Sequence, residues 1–491
     1  MRRFLSRKPL KWHLCLALVT GTVARGLCAW FVYGPQALDD YKHGVWPAYQ
    51  FFAGLPLDLP EYRSHLLVWI LAAFIKAGFW FGAESALAQV RAMYFGLAAL
   101  SLLGIYGTYL FVRGVRSKIF GPTALYLTAL FPLLPFVGTR AFGEAIAMSF
   151  TALGFGVLED ARRSRSPSFF RWTAGFLCLG MAVLFRFQAG LLFAGYAAVL
   201  LYLRLTPAIG AAVCAGVATL FAQVGVDVLS GKAPMATLIN YLCANEGGAA
   251  QYGVSPWYNT WAFALALTLP PFSFVFYRQL RGVWRRHWTW LVPFLLYVLA
   301  HSLIPHKEER FLYPILILEM WAIAGLWSAA ARNRWARTVY TRAFLIICVP
   351  ALFVACLINT QEGEIEPAAI AESRYGAVTY LDHESLFGMS RVQFYFLRPP
   401  SVLQAVGPES FNVNAIDEAL ERNPAHKAVA LLTSVPDTRD QLHALEGVET
   451  WEARCLKMQT SGSLIDRLLY SLNPAHNQRR RPTWYLFCER S

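Results

Sequence analysis

The sequence predicts an all-α polytopic membrane protein of about eleven spans, followed by a small C-terminal α/β domain. Three observations lead there. Of 491 residues, 56% are hydrophobic and only 15% are charged, against about 25% charged in an ordinary soluble domain. Several apolar stretches reach about 20 residues, enough for a helix to cross about 30 Å of hydrocarbon. Most Lys and Arg stand in short clusters between those stretches. A net charge of +14 placed in this way is an orientation signal, not the footprint of a nucleic-acid partner.

The apolar candidates are 12–33, 92–112, 119–138, 142–158, 170–186, 188–203, 207–229, 258–277, 288–305, 311–331 and 342–358. The opening MRRFLSRKPLKWHLCLALVTG has the form of a signal peptide. Its apolar run continues to about Tyr33 with no small-residue cleavage site, so it is read as a retained first span. Charge decides the remaining apolar stretch, 65–81. If it stays on one side, every basic cluster falls in the cytoplasm: Arg2, Arg3, Arg7, Lys8 and Lys11; Arg113, Arg116 and Lys118; Arg162, Arg163, Arg165 and Arg171; Arg204; Arg278, Arg281, Arg285 and Arg286; Arg332, Arg334, Arg337 and Arg342. If it crosses, the later clusters all move outside. The positive-inside rule therefore makes 65–81 an interfacial or re-entrant helix. Residues 1–358 form the membrane domain with a long external loop, 34–91, and 359–491 form an extracytoplasmic domain. The short basic N-terminus and compact loops suit a bacterial inner membrane; the eukaryotic counterpart is the endoplasmic reticulum.

In the tail, AVALLTS at 428–434 and TWYLFCER at 483–490 read as strands, and Asn414–Arg422 as helix. VPDTRDQ and NPAHNQRRRP read as loops. Cys455 and Cys488 either pair, in an oxidising compartment, or stay free thiols. The nine cysteines contain no CxxC pair, so a zinc site is not expected.

This topology gathers chemically capable residues outside. Asp39 and Asp40 follow the first span; a carboxylate facing a low-dielectric cavity can take a proton, although the pair can also merely end a helix. His306, Lys307, Glu308, Glu309 and Arg310 stand between two apolar spans with almost no linker. Such charges need partners, and Lys and Arg among them can hold a phosphate. Arg140 and Arg186 sit at external helix ends, where snorkelling is the plain alternative. Several cations on one face want an anion, and the anion available there is a lipid phosphate. The loop 240–258 offers Tyr252, Trp257 and Tyr258 for stacking on a sugar or for anchoring at the interface. Glu319, in mid-span, is expected to have a partner on a neighbouring helix. No GxxxxGK[ST] and no GxGxxG after a strand is present, so no nucleotide site is indicated.

The string HKEERFLYP at 306–314 resembles the signature of the dolichol-phosphate-mannose-dependent α-mannosyltransferases, the enzymes of GPI-anchor and lipid-linked oligosaccharide assembly, which have the GT-C fold. Weaker matches follow in chain order: Asp39-Asp40 with Ala48 and Gly54, Arg63-Ser64, Thr139-Arg140 with Phe142, Arg186, Tyr252-Gly253, and Pro256-Trp257. The chain departs from the pattern at His43, Trp46, Glu144 and Phe187. The resemblance implies inverting transfer of mannose from a polyprenyl or dolichyl phosphate to a glycan or glycolipid acceptor on the outer face. Asp39 would be the general base and Asp40 would orient it. Lys307, Arg310, Arg140, Arg186 and His306 would hold the phosphate. Glu308, Glu309, Arg63, Tyr252 and Trp257 would contact substrate. No metal and no cofactor are implied, because a leaving monophosphate flanked by cations needs neither. A lipid or glycolipid transporter or flippase is the alternative; it would show inverted repeats and broken helices at the bilayer midplane, and the sequence has neither.

The topology is open to a direct test. Single cysteines at Ala83 and Ser117, in a background without other reactive thiols, should label from outside and inside respectively. Labelling of Ala83 from inside or of Ser117 from outside would overturn the eleven-span arrangement.

Overall fold

The computed structural model describes residues 8–34, 38–57, 59–115, 117, 119–248, 253–329, 334–359, 365–383, 402–407, 411–474 and 481–491. The chain forms two compact units, one of residues 1–29, 59–69 and 95–356, the other of 30–58, 70–94 and 357–491.

The first unit is helical because its sequence is apolar in runs of helix length. Its helices include Leu10–Phe31, Gly143–Arg163, Phe169–Phe185, Gly190–Tyr202, Thr206–Leu229, Leu280–Leu303 and Leu316–Ala329. Among the described residues, five helices have the length and composition to cross a bilayer: Leu10–Phe31, Ala86–Arg113, Thr206–Leu229, Glu309–Ala329 and Thr338–Leu357. The helix His65–Trp80 has 16 residues and reaches about 24 Å, short of a full hydrocarbon core.

Prolines divide stretches that the sequence reads as continuous. The run 119–138 breaks into Phe120–Leu130 and Leu133–Val137. Pro132 lacks the N–H that would reach the carbonyl of Thr128. Arg25, fully buried, donates to that carbonyl at 3.2 Å, to that of Ala129 at 2.9 Å, and to the Ser101 hydroxyl at 2.7 Å. A cation in the middle of the first apolar run, unremarked by the sequence reading, thus closes a helix end. The run 258–277 breaks at Pro270-Pro271 into Asn259–Leu267 and a 3-10 segment, Phe272–Gln279.

Glycines let helices approach closely, as in other membrane bundles. A side chain at Gly107 would meet the carbonyl of Ala152 at 2.5 Å, and one at Gly156 would strike the backbone of Gly107. The Arg cluster at 162–171, read as orientation signal, also has structural work. Glu159 is fully buried and accepts from Arg162 at 2.9 Å, Arg163 at 2.8 Å, the Tyr196 hydroxyl at 3.0 Å and the Thr289 hydroxyl at 2.6 Å. Glu319 departs from expectation, since its buried Oε2 has no hydrogen-bond partner among the described residues.

In the second unit, Gly34 N–H donates to Asn359 Oδ1 at 2.8 Å, and the Glu372 carboxylate accepts from the N–H of Ala86 at 3.0 Å. Among the described residues the tail carries a mixed sheet of six strands: β1 Val378–His383, β2 Val402–Val406, β3 Ala428–Thr433, β4 Ala453–Cys455, β5 Gln459–Ser461 and β6 Thr483–Arg490. Their order is β2-β1-β3-β6-β4, with β5 also on β6; β2, β1 and β3 run parallel and β6 antiparallel to β3. β1 and β3 are buried along their whole length, as near-continuous apolar parallel strands must be. The strands at 428–433 and 483–490 and the helix Val413–Arg422 fall where the sequence puts them. The helix is capped by Asn412 Oδ1, which accepts from Ala415 N–H at 2.9 Å. The segment VPDTRDQ is not a loop: Pro436 opens the helix Pro436–Ala444, a position where its missing N–H costs nothing. NPAHNQRRRP lies mostly outside the described residues. Cys455 and Cys488 face each other across β4 and β6 and are joined in a disulfide.

Asp382 on β1 is 1% exposed, and neither carboxyl oxygen has a hydrogen-bond partner among the described residues. Burial pushes its pKa up to about 8. The folded state therefore holds a proton between about pH 4 and pH 8 that the unfolded chain has released, and stability falls as pH rises through that window. Asp382→Asn should melt close to the unaltered protein near pH 4 and progressively above it toward pH 8, levelling off beyond. Apparent melting temperatures of the two full-length proteins across pH 4–9 check this; a gap that does not change with pH would contradict it.

Candidate functional site

The first unit assembles a cationic cluster from four separated segments. The helix Gly143–Arg163 begins with Glu144 in its first turn, while Arg186 terminates Phe169–Phe185. A side chain at Gly143 would collide with the carbonyl of Phe185, so glycine allows these two helix ends to meet. The Arg186 guanidinium and the Glu144 carboxylate pair at 3.2 Å. Arg186 is 8% exposed and Glu144 4%, so the pair is desolvated and each charge depends on the other.

Arg310 and Arg63 also bear electrostatically on Glu144, and Arg310 repels Arg186. Three guanidinium groups thus bear on one buried carboxylate, Arg186 in direct contact. Arg310 Nη2 donates to Glu308 Oε1 at 2.9 Å, and its plane lies 5.5 Å from the Phe142 ring and 5.6 Å from Phe311. Arg186 lies 5.0 Å from the Phe311 ring. Weakly hydrated guanidinium groups tolerate such stacking.

The other residues of the HKEER run hold the backbone. Lys307 Nζ donates to the carbonyls of Ser255 at 2.9 Å and Ile304 at 2.6 Å. Its ammonium sits at the end of Leu280–Leu303, where helix carbonyls lack partners. Ser255 N–H donates to the Pro305 carbonyl at 3.0 Å. His306 Nδ1 lies 3.3 Å from the Gly253 carbonyl and its Nε2 2.9 Å from Glu308. The run therefore staples the 253–258 segment to the start of the next helix. Trp257 is 67% exposed and edge-on to Tyr258. Tyr252 lies outside the described residues.

A second clamp was not foreseen. Asp227, fully buried, accepts from Gln223 at 3.0 Å and from the Thr237 hydroxyl at 2.5 Å. Lys232 Nζ donates to the carbonyls of Glu61 at 2.8 Å and Arg63 at 3.0 Å, fixing the backbone beneath Arg63. Partial burial lowers the Lys232 ammonium from its ordinary value, against the pull of Asp227 and Glu61. Nothing in a lone lysine of a Gly-containing loop marks this role in sequence.

Arg140 is fully buried in the same unit. It donates to the Thr139 hydroxyl at 3.1 Å and lies 4.9 Å from the Phe136 ring.

Asp39 and Asp40 lie in the second unit, in a short turn of helix, Leu38–Asp40, that runs into a π-helical turn, Tyr41–Val45. Such turns recur at functional sites. Adjacent residues of a helical turn face different directions, which separates two otherwise equal carboxylates. Asp40 is fully buried, whereas the Asp39 side chain is 28% exposed, with His43 Nε2 3.7 Å away.

Residues 60–384 match the Alg9-like mannosyltransferase family. A 93-residue stretch is 33% identical to alpha-1,2-mannosyltransferase ALG9 of Mus musculus, covering 16% of this chain and 15% of the mouse protein. Among solved structures, ArnT from Cupriavidus metallidurans bound to undecaprenyl phosphate aligns over 97% of both chains with a TM-score of 0.55 and 13% identity. Its apo form gives 0.55 and 14% over the same share. The architecture is thus that of the GT-C membrane glycosyltransferases.

Breaking the buried pair from one side leaves an uncompensated charge. Arg186→Met should destabilise the protein by about 3–5 kcal/mol, and adding Glu144→Gln should recover much of that. Thermal unfolding of the two single variants and the double checks the coupling; strictly additive losses would show that the pair does not act as one.

Proposed function

The chain belongs to the Alg9-like mannosyltransferase family and is a membrane glycosyltransferase, and we propose that it moves mannose from a polyprenyl- or dolichyl-phosphate donor to a glycan or glycolipid acceptor on the non-cytoplasmic face. The observation that carries the donor assignment is the cluster of Arg186, Arg310 and Arg63 around one carboxylate. That cluster has an excess of positive charge, planar forks and a desolvated setting, which is what a monophosphate requires. The structurally similar ArnT was solved with undecaprenyl phosphate, a lipid phosphate of this class.

In the proposed reaction the acceptor hydroxyl attacks the anomeric carbon from the face opposite the phosphate. Asp39 takes its proton, the bond from the anomeric carbon to the phosphate oxygen breaks, and the lipid phosphate leaves with the electron pair and inverted stereochemistry at the sugar. Asp39 is the accessible carboxylate of its pair, and Asp40 supports the turn. Arg186 and Arg310, with Arg63 and Arg140, stabilise the charge that grows on the phosphate; removing one such preorganised donor costs about 100- to 1,000-fold in rate. Lys307 and His306 keep the loop in place. Glu308, now on Arg310, is the group that a phosphate would displace.

The outer-face assignment, the eleven spans and the non-crossing 65–81 helix rest on the positive-inside rule. The Cys455–Cys488 disulfide supports an oxidising compartment for the tail, read as an extracytoplasmic domain of residues 359–491.

Asp39→Asn keeps size and hydrogen bonding but cannot take the proton. Its turnover should fall about 100- to 10,000-fold with donor affinity retained, because the proton moves only in the transition state. Asp40→Asn should cost less. Arg310→Lys should stay impaired, since an ammonium cannot form the planar fork. Turnover and donor affinity of the three variants test the roles; full activity in both Asp variants would remove the base from this turn.

A further inference from the structure

We propose that a pocket beside the cationic cluster, lined by Asn259, Thr260, His301, Glu308, Glu309 and Phe311, reads the hydroxyl groups of the donor sugar. This rests on the donor-phosphate reading above and deepens it.

The pocket lies where the start of the helix Asn259–Leu267, the last turn of Leu280–Leu303 and the HKEER run come together. Its deepest polar group is His301, 3% exposed. His301 Nδ1 lies 2.8 Å from the Tyr297 carbonyl. A carbonyl only accepts, so Nδ1 carries the proton and Nε2 of the neutral ring is a bare acceptor. That Nε2 is buried and has no hydrogen-bond partner among the described residues. An unmet acceptor in a dry position calls for a donor from a ligand.

The rest of the lining selects the class of ligand. Glu308 and Glu309 add carboxylate acceptors, which suit hydroxyl donors. Lys307, also in the lining, gives its ammonium to two carbonyls. The amide of Asn259, the hydroxyl of the buried Thr260, and the carboxylates exclude a hydrocarbon chain, whose burial there would leave polar groups unpaired. A neutral polyhydroxyl ring supplies many O–H donors and an apolar C–H face that suits the Phe311 ring. Two residues also join pocket to cluster: Glu308 lines the pocket and pairs Arg310, and Phe311 lines it and stacks under Arg186. A glycosyl phosphate, with its sugar directly on its phosphate, matches that adjacency.

The test compares two probes on the full-length protein in nanodiscs: a short polyprenyl-phosphate-mannose and the same polyprenyl phosphate without sugar. The unaltered protein should bind the sugar-bearing lipid more tightly. His301→Leu and Asn259→Ala should each lose about 3- to 10-fold in affinity for it, the scale of one or two hydrogen bonds, and bind the bare lipid phosphate unchanged. His301→Gln, which keeps an acceptor, should recover part of the loss. A mannosyl phosphate lacking the hydroxyl that His301 reads should bind the His301→Leu and unaltered proteins alike. Equal losses for both lipids, or no loss for either, would overturn the sugar pocket. Should His301→Leu fail to fold, Asn259→Ala and the deoxy-sugar series on unaltered protein decide it, and indifference to every hydroxyl would overturn it. Failure of the donor-phosphate reading shows separately, as no binding of the bare lipid phosphate.

Discussion

A guanidinium held among apolar helices persists only with a counter-ion, and the Arg186–Glu144 pair meets that requirement at the meeting point of two helix ends. Both charges are almost wholly removed from water, so their attraction is little screened and the cost of separating them is high. The small residue before Glu144 lets the helix start reach the Phe185 carbonyl, and the pair then fixes the spacing at which Arg310 and Arg63 arrive.

The two lysines of the region hold backbone carbonyls. Lys307 gathers carbonyls from the helix end and the 253–258 segment, and Lys232 gathers those of Glu61 and Arg63. A compact ammonium with three donors suits carbonyls from several directions, whereas the flat fork of Arg suits an oxyanion. The lysine contacts to carbonyls follow from that shape. It also explains how irregular backbone is tolerated near apolar spans, since its polar groups are satisfied by side chains.

Much of this fold is legible in the sequence, because apolar runs of helix length and clustered basic residues are strong signals. The helices Leu10–Phe31, Gly143–Arg163 and Thr206–Leu229 fall within a few residues of the expected runs. The breaks at Pro132 and Pro270-Pro271 are less legible, because hydropathy is blind to a missing N–H. The helix opened by Pro436 is masked by turn-like composition. In the site, HKEERFLYP marks the location, but not that Lys307 is a backbone clamp or that Glu144 pairs with Arg186. Those depend on which helix ends meet, and no local pattern encodes it. Arg25, Asp227 and His301 are single polar residues in or beside apolar segments, and their roles come from partners 4 to 104 positions away, or, for the His301 Nε2, from the lack of one among the described residues.

The central claim is that sugar arrives on a lipid phosphate held by these arginines, with no nucleotide donor. It is tested most directly by incubating the purified protein with radiolabelled polyprenyl-phosphate-mannose and lipid extract, in parallel with labelled GDP-mannose, and identifying the products. The account predicts label in a new glycolipid or lipid-linked glycan from the lipid donor, inverted at the anomeric carbon, and none from GDP-mannose. Transfer from GDP-mannose with the lipid donor left intact would contradict it.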